Sequence, residues 1–226
     1  MSFKSAVITF PGSNCDRDAI TYLRDLTNNE VLNIWHAETS MPSVDLIILP
    51  GGFSFGDYLR SGAMASKSRI IPEVIKHANS GRFLLGICNG FQILSEIGLL
   101  KGALIQNNKL KFLGKDCFLK KKHENNFNKL IKKDQVLQIP VAHNEGNFYC
   151  NNNDLNYLND KELIAFEYCM GSFSNSDANI NGSINNIAGI TNEKKNVLGM
   201  MPHPERAYQS FHSSMDGKSI IGSLIS

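Results

Sequence analysis

The chain has 226 residues, 42% of them hydrophobic and 19% charged, and its 23 basic and 21 acidic side chains leave a formal net charge of +2. That balance gives no electrostatic footprint for nucleic acid or an anionic membrane, and the longest apolar runs, such as DLIILP at 45–50, fall far short of the ~20 residues of a membrane span. The five cysteines are odd in number, scattered and without a C-x-x-C pair, which speaks against a disulfide framework and against a zinc site.

Taken in chain order, the first half alternates strands with helices. Residues 5–10 (SAVITF) form an apolar, β-branched strand ending at Pro-Gly. Residues 13–29 read as a helix, with Ser13 or Asn14 as its cap and Asp16 and Asp18 at the positive end of its dipole. Strands follow at 30–36 and 44–50, a helix with a proline start at 72–80, a strand at 81–87 and a helix at 89–100. Nearly continuous apolar strands separated by helices predict a parallel sheet covered on both faces. The second half changes character. Short strands within 109–122, 135–150, 162–169, 184–191 and 196–202 predict an antiparallel extension, and 219–225 a short closing helix. The asparagine-rich stretches at 123–129, 151–154 and 174–186 read as surface loops. There is no internal repeat and no linker, so one domain over 1–226 is expected. The N-terminus runs straight into a strand and lacks the features of a signal peptide, so a cytoplasmic protein is expected.

Residues 86–92, GICNGFQ, lie between a strand and a helix. A central residue flanked by glycines two before and two after is the nucleophile-elbow pattern. Its strained turn needs small neighbours, here Gly86 and Gly90. It would lift Cys88 above the carboxyl end of the sheet, at a helix N-terminus that favours thiolate. The Asn89 amide then points where an oxyanion would form. A buried structural cysteine is the bland alternative; the strand–turn–helix setting favours the nucleophile.

A thiolate nucleophile needs a base and a group to orient it. His36, His77 and His123 read as surface or packing residues, and His212 has no obvious partner. MMPHPER at 200–206 follows an apolar strand, and Pro204 pushes His203 toward an extended backbone. Residues two apart then face one side, which places Glu205 beside His203. Cys88, His203 and Glu205 are the predicted triad. Glycines after the strand ending at Pro50 let backbone approach a ligand, so the amide of Gly52 or Phe53 is expected to complete the oxyanion hole. The DGKS at 216–219 is no phosphate-binding loop, because His212 holds the upstream glycine position.

These motifs, with FPGSNCDRD (10–18), PGGFSFGDYLRSG (50–62), AHNEGNFY (142–149) and VLGMMPHPER (197–206), resemble the class I glutamine amidotransferase family. Within it they are most similar to the glutaminase subunits of phosphoribosylformylglycinamidine synthase, and the likeness runs nearly end to end. The resemblance implies a flavodoxin-like α/β fold. It implies Cys88, His203 and Glu205 as triad, and Gln92 and the Gly52 loop as contacts to substrate glutamine. It further implies a separate synthetase subunit that uses ATP and magnesium, a small third subunit, and no cofactor or metal in this chain. Asn144 and Ile180 depart from residues common in the family. Because free ammonia is wasteful, His143 and Glu145 are expected near the partner interface or an ammonia exit. An anthranilate or GMP synthase glutaminase would share the triad but not CNGFQ; an elbow-cysteine peptidase would carry histidine where Asn89 stands; a non-catalytic subunit would lack a triad member.

Overall fold

The computed structural model describes residues 3–171 and 178–226. Strand β1 (Ser5–Thr9) is followed by α1 (Asp16–Thr27), β2 (Val31–Trp35), β3 (Leu46–Leu49), α2 (Ile71–Asn79), β4 (Phe83–Ile87) and α3 (Asn89–Glu96). Then come β5 (Ala103–Ile105), β6 (Leu113–Lys121), β7 (Val136–His143), β8 (Asn147–Tyr149) and α4 (Asn152–Asp160). The chain closes with β9 (Ile164–Cys169), β10 (Ile187–Thr191), β11 (Val197–Met200) and α5 (Lys218–Ile225).

Nine strands form one sheet in the order β2-β1-β3-β4-β11-β10-β9-β6-β7. The first five run parallel and the remainder pair antiparallel; the division follows the two halves of the sequence except for β11, expected in the antiparallel extension, which pairs parallel with β4. Residues of β3 and β4 are buried on both faces apart from Phe83 at the strand start, which is why those stretches show no polar alternation. The crossover from β1 to β2 and that from β3 to β4 run in opposite directions along the sheet, so right-handedness puts α1 and α2 on opposite faces. The reversal lies between β1 and β3, where open α/β sheets bind ligands. The segments after β1, β3, β4 and β11 therefore share one edge. Among the described residues no helix is long and apolar enough to cross a membrane.

Several expectations need correction. Neither Ser13 nor Asn14 caps α1: the cap position is Cys15, with no side-chain bond to the helix. Ser13 Oγ instead accepts from the Phe10 amide and Asn14 Oδ1 from the Cys15 thiol. The asparagines at 151–154 begin α4, with Asn151 Oδ1 accepting from the Asp154 amide at 2.9 Å. The loop 123–129 keeps Glu124 and Lys129 at the surface but turns Phe127 and Asn128 fully inward, held by Asn125 and Asn128 side chains on neighbouring amides. Asn181 and Ser183 are also buried, and residues 174–177 lie outside the described residues. The run 135–150 is two strands; β8 leaves the sheet and pairs with β5.

Close packing across the carboxyl edge depends on Gly90. A Cβ there would run into the Leu49 carbonyl oxygen, which is fixed in β3. Gly90→Ala is expected to cost at least about 3 kcal/mol, because backbone cannot yield as a side chain does. The denaturant midpoint at constant m-value checks this; an unchanged midpoint contradicts it.

Candidate active site

Cys88 sits at the junction of β4 and α3 with φ 51° and ψ −105°, a conformation that side chains rarely adopt. Its amide is tied to the Met200 carbonyl at 2.8 Å, while the Phe91 and Gln92 amides both turn back to the Cys88 carbonyl. The Asn89 amide, in the first turn of α3, has no helical acceptor before it. The turn depends on Gly86: a Cβ there would lie 2.7 Å from the Gly90 carbonyl.

His203 and Glu205 emerge just beyond β11, the neighbour of β4. His203 Nδ1 donates to Glu205 Oε1 at 2.6 Å, and both residues are 1% exposed. The route to that pairing differs from the extended backbone predicted. Pro204–Arg206 form a 3-10 turn capped by His203, and the turn folds the carboxylate back on the ring. His203 Nε2 is buried without a satisfied hydrogen bond, flanked by the thiols of Cys88 and Cys15. Burial alone would lower the pKa of His203, but the Glu205 carboxylate and the Cys88 sulfur outweigh it and raise it well above the usual histidine value. Since Nδ1 faces a carboxylate, it keeps its proton, and Nε2 is the nitrogen free to exchange one with sulfur.

Nothing in the local pattern of the chain points to Cys15 as a neighbour of this pair. Its sulfur, His203 and Glu205 bring donor atoms within 4.8 Å of one another. Burial above all pushes its thiol pKa up, so it stays protonated beside the base.

Cys88 opens into a cavity of about 210 Å³, below the 300–1,000 Å³ of pockets for drug-sized ligands and suited to a small molecule. Gly52, Asp57, Gln92, His143 and Glu145 are among its walls. The Phe53 amide donates to the Gly12 carbonyl at 3.2 Å, so of the two amides predicted for the second half of an oxyanion hole, Phe53 is occupied and Gly52, with φ +132°, is left to serve. The Gln92 side chain accepts from Asn89 Nδ2 at 2.9 Å and donates to the Glu145 carbonyl at 2.7 Å, keeping one N–H for a ligand. Asp57 is pushed up to about 6 by burial, opposed by a Ser61 hydrogen bond and helped by the nearby Glu145 carboxylate.

His143 is buried in the pocket wall rather than on an outer surface. Asn107 fixes its tautomer. Asn107 Nδ2 donates to two carbonyls, of Lys111 and His143, so its Oδ1 is an acceptor, and His143 Nδ1 must donate to it at 3.0 Å. The Nε2 lone pair is buried and unpartnered. Burial above all, with the nearby His203, lowers the pKa of His143 to about 4. Below pH 6.5 the unfolded chain therefore takes up a proton that the folded chain refuses until about pH 4, and the contribution of His143 to stability falls with acidification across that window, by about 2 kcal/mol from pH 7 to pH 5. Asp57 acts oppositely: folded, it holds a proton between pH 3.8 and about 6 that the unfolded chain has lost. Relative to the wild type, His143→Gln should therefore gain Tm on going from pH 7 to pH 5; a Tm difference that does not change with pH contradicts the assignment.

A family described as CobB/CobQ-like glutamine amidotransferase domain matches residues 2–221. Phosphoribosylformylglycinamidine synthase subunit PurQ of Zymomonas mobilis is 46% identical over 224 residues, covering 98% of both chains. The subunit of the same name from Synechocystis is 48% identical over 214 residues, 93% of this chain and 95% of that one. A chain in the structure of PurLQS from Thermotoga maritima superposes with a TM-score of 0.88 at 38% identity, covering all of this chain and 98% of that one. A putative GMP synthase protein from Thermoplasma acidophilum, TM-score 0.64 at 15% identity, covers all of this chain and 94% of its own and shares the fold.

Proposed function

Given that the chain belongs to the CobB/CobQ-like glutamine amidotransferase family, and within it to the glutaminase subunits of phosphoribosylformylglycinamidine synthase in purine biosynthesis, we propose that it hydrolyses glutamine through Cys88, His203 and Glu205 and hands the ammonia to a synthetase. The carrying observation is the buried 2.6 Å His203–Glu205 bond with His203 Nε2 open beside the Cys88 thiol.

The residues support these steps. Cys88 gives its proton to His203 Nε2 and attacks the carboxamide carbon. The oxyanion forms against the amides of Asn89 and Gly52. His203 returns the proton to the leaving nitrogen, ammonia departs, and a γ-glutamyl thioester remains on Cys88. Water gives a proton to His203 and attacks the thioester; the thiolate leaves and glutamate is released. Gln92 and the Gly52 loop hold the substrate, Glu205 keeps the base in its tautomer, and His143 and Glu145 form the wall past which ammonia would leave. ATP and magnesium act on the synthetase, which converts formylglycinamide ribonucleotide to formylglycinamidine ribonucleotide. The partners are a PurL-type synthetase and a small third protein of PurS type, as the composition of the Thermotoga assembly suggests.

The reading is tested by mixing the chain with its cognate synthetase. Glutamine-dependent product is expected, together with glutamine hydrolysis at least about 100-fold faster than by the chain alone, since a ~1 Å error in an active-site loop costs about that much. Equal rates with and without the synthetase would make the chain a stand-alone glutaminase.

A further inference from the structure

Asn89 serves the site twice. Its backbone amide stands at the predicted oxyanion position, while its side chain, 2% exposed, reaches across to the loop after β3. Oδ1 accepts from the Ser54 amide at 3.3 Å. Nδ2 donates to Gln92 Oε1 at 2.9 Å and to Asp57 Oδ1 at 3.3 Å. The whole amide group is engaged.

The loop it holds is strained. Phe55, Asp57 and Leu59 all have φ between 53° and 71°, in a stretch that also contains Gly52 at +132° and Gly56 at +66°. Non-glycine residues persist in this region only where their surroundings impose it. Three bonds pin the loop after β3 to the segment after β1: Phe55 N–H to the Pro11 carbonyl at 2.6 Å, Phe53 N–H to the Gly12 carbonyl at 3.2 Å and Cys15 N–H to the Gly51 carbonyl at 3.4 Å. Within Gly52–Asp57 the bonds to the nucleophile's own helix are those of Asn89; beyond the strained stretch, the exposed Arg60 pairs with Glu96 at the far end of α3 at 2.6 and 2.7 Å.

We propose that the Asn89 side chain is a positioning residue that locks the Gly52–Asp57 loop to the nucleophile elbow, so that the Gly52 amide and the Asn89 amide keep a fixed spacing around the oxyanion. The proposal rests on the reading of Cys88 as nucleophile. An apolar side chain of similar size fills the space but leaves the Ser54 N–H and Gln92 Oε1 without this partner. The strained loop then relaxes at the expense of the Gly52 amide, and losing one such donor costs about 10²–10³ in rate.

The test uses the chain assembled with its cognate synthetase. Asn89→Leu is expected to lower kcat for glutamine about 100-fold. Alkylation of Cys88 by iodoacetamide, a displacement at saturated carbon that develops no oxyanion, is expected to change by no more than about threefold. General loss of structure would open the other cysteines, four of the five being buried in the fold, to the reagent as well, so the label must stay confined to Cys88. A reciprocal exchange covers the case of a leucine variant that does not fold. Asn89→Asp sets a second carboxylate against Asp57 and removes the donor; adding Asp57→Asn restores the pair with its polarity reversed, and asparagine tolerates the positive φ at that position. The double variant is expected to recover at least about tenfold over Asn89→Asp. The proposal is overturned if Asn89→Leu hydrolyses glutamine at the wild-type rate, if alkylation falls in step with hydrolysis, or if the double exchange recovers nothing. Glutamine turnover that survives Cys88→Ala would instead overturn the nucleophile assignment, and the clamp with it.

Discussion

Cys88→Ala should abolish glutamine-dependent product formation by the assembled enzyme while product formation from added ammonia continues. The thiol is the attacking atom, and nothing else in the pocket replaces it: Cys15 lies behind the base, with its thiol pKa raised, and Cys117, Cys150 and Cys169 are absent from the cavity wall. Loss of a nucleophile costs about 10⁶ in kcat where a comparable triad has been dissected. Ammonia bypasses the thioester, so the synthetase half keeps its rate. The split is the informative part. A variant that lost both activities would have lost docking or folding, whereas one that retained glutamine use would move the nucleophile to another residue. A diazo-ketone analogue of glutamine should label Cys88 in the wild type, and mass spectrometry that found the label on Cys15 would sink the assignment.

The second large effect separates the base from its orienter. His203→Asn removes the group placed to take the thiol proton and give it to the leaving nitrogen, and a loss of about 10⁴–10⁶ in kcat is expected. Glu205→Gln should cost about 10–100-fold less than that. Its carboxamide can still face His203 Nδ1, but if it presents its N–H₂ it selects the tautomer with the proton on Nε2, which cannot accept one from sulfur. Removing the carboxylate also removes the negative charge that, against burial, raises the pKa of His203. The limb of the pH–rate profile that belongs to His203 should therefore move to lower pH in Glu205→Gln. An unchanged kcat and an unmoved limb would make Glu205 a buried structural acid.

The sequence by itself carried the architecture and the position of the elbow, because both are written locally. A buried parallel strand announces itself as an unbroken apolar run, and an elbow as a residue between two glycines whose missing Cβ atoms can be felt within five positions. His203 and Glu205 were legible as a pair from spacing, although the backbone that joins them is a 3-10 turn rather than an extended segment, and it is the start of that turn at His203 that folds Glu205 back to the ring. Helix α4 escaped because its asparagine-rich start has the composition of a loop, and only the Asn151 cap distinguishes the two. What the tertiary structure alone decided are contacts between segments far apart in the chain. Cys15 reaches His203 from the loop after β1; Asn107 fixes the tautomer of His143 across 36 positions; the Phe53 amide is taken by Gly12, leaving Gly52; and the Asn89 side chain meets Ser54 and Asp57 more than 30 positions upstream. Hydrogen bonds of this kind follow from which strand lies beside which and from how each loop leaves the sheet. No periodicity in the chain encodes that, because a polar side chain that will be buried and satisfied looks the same in sequence as one left in water.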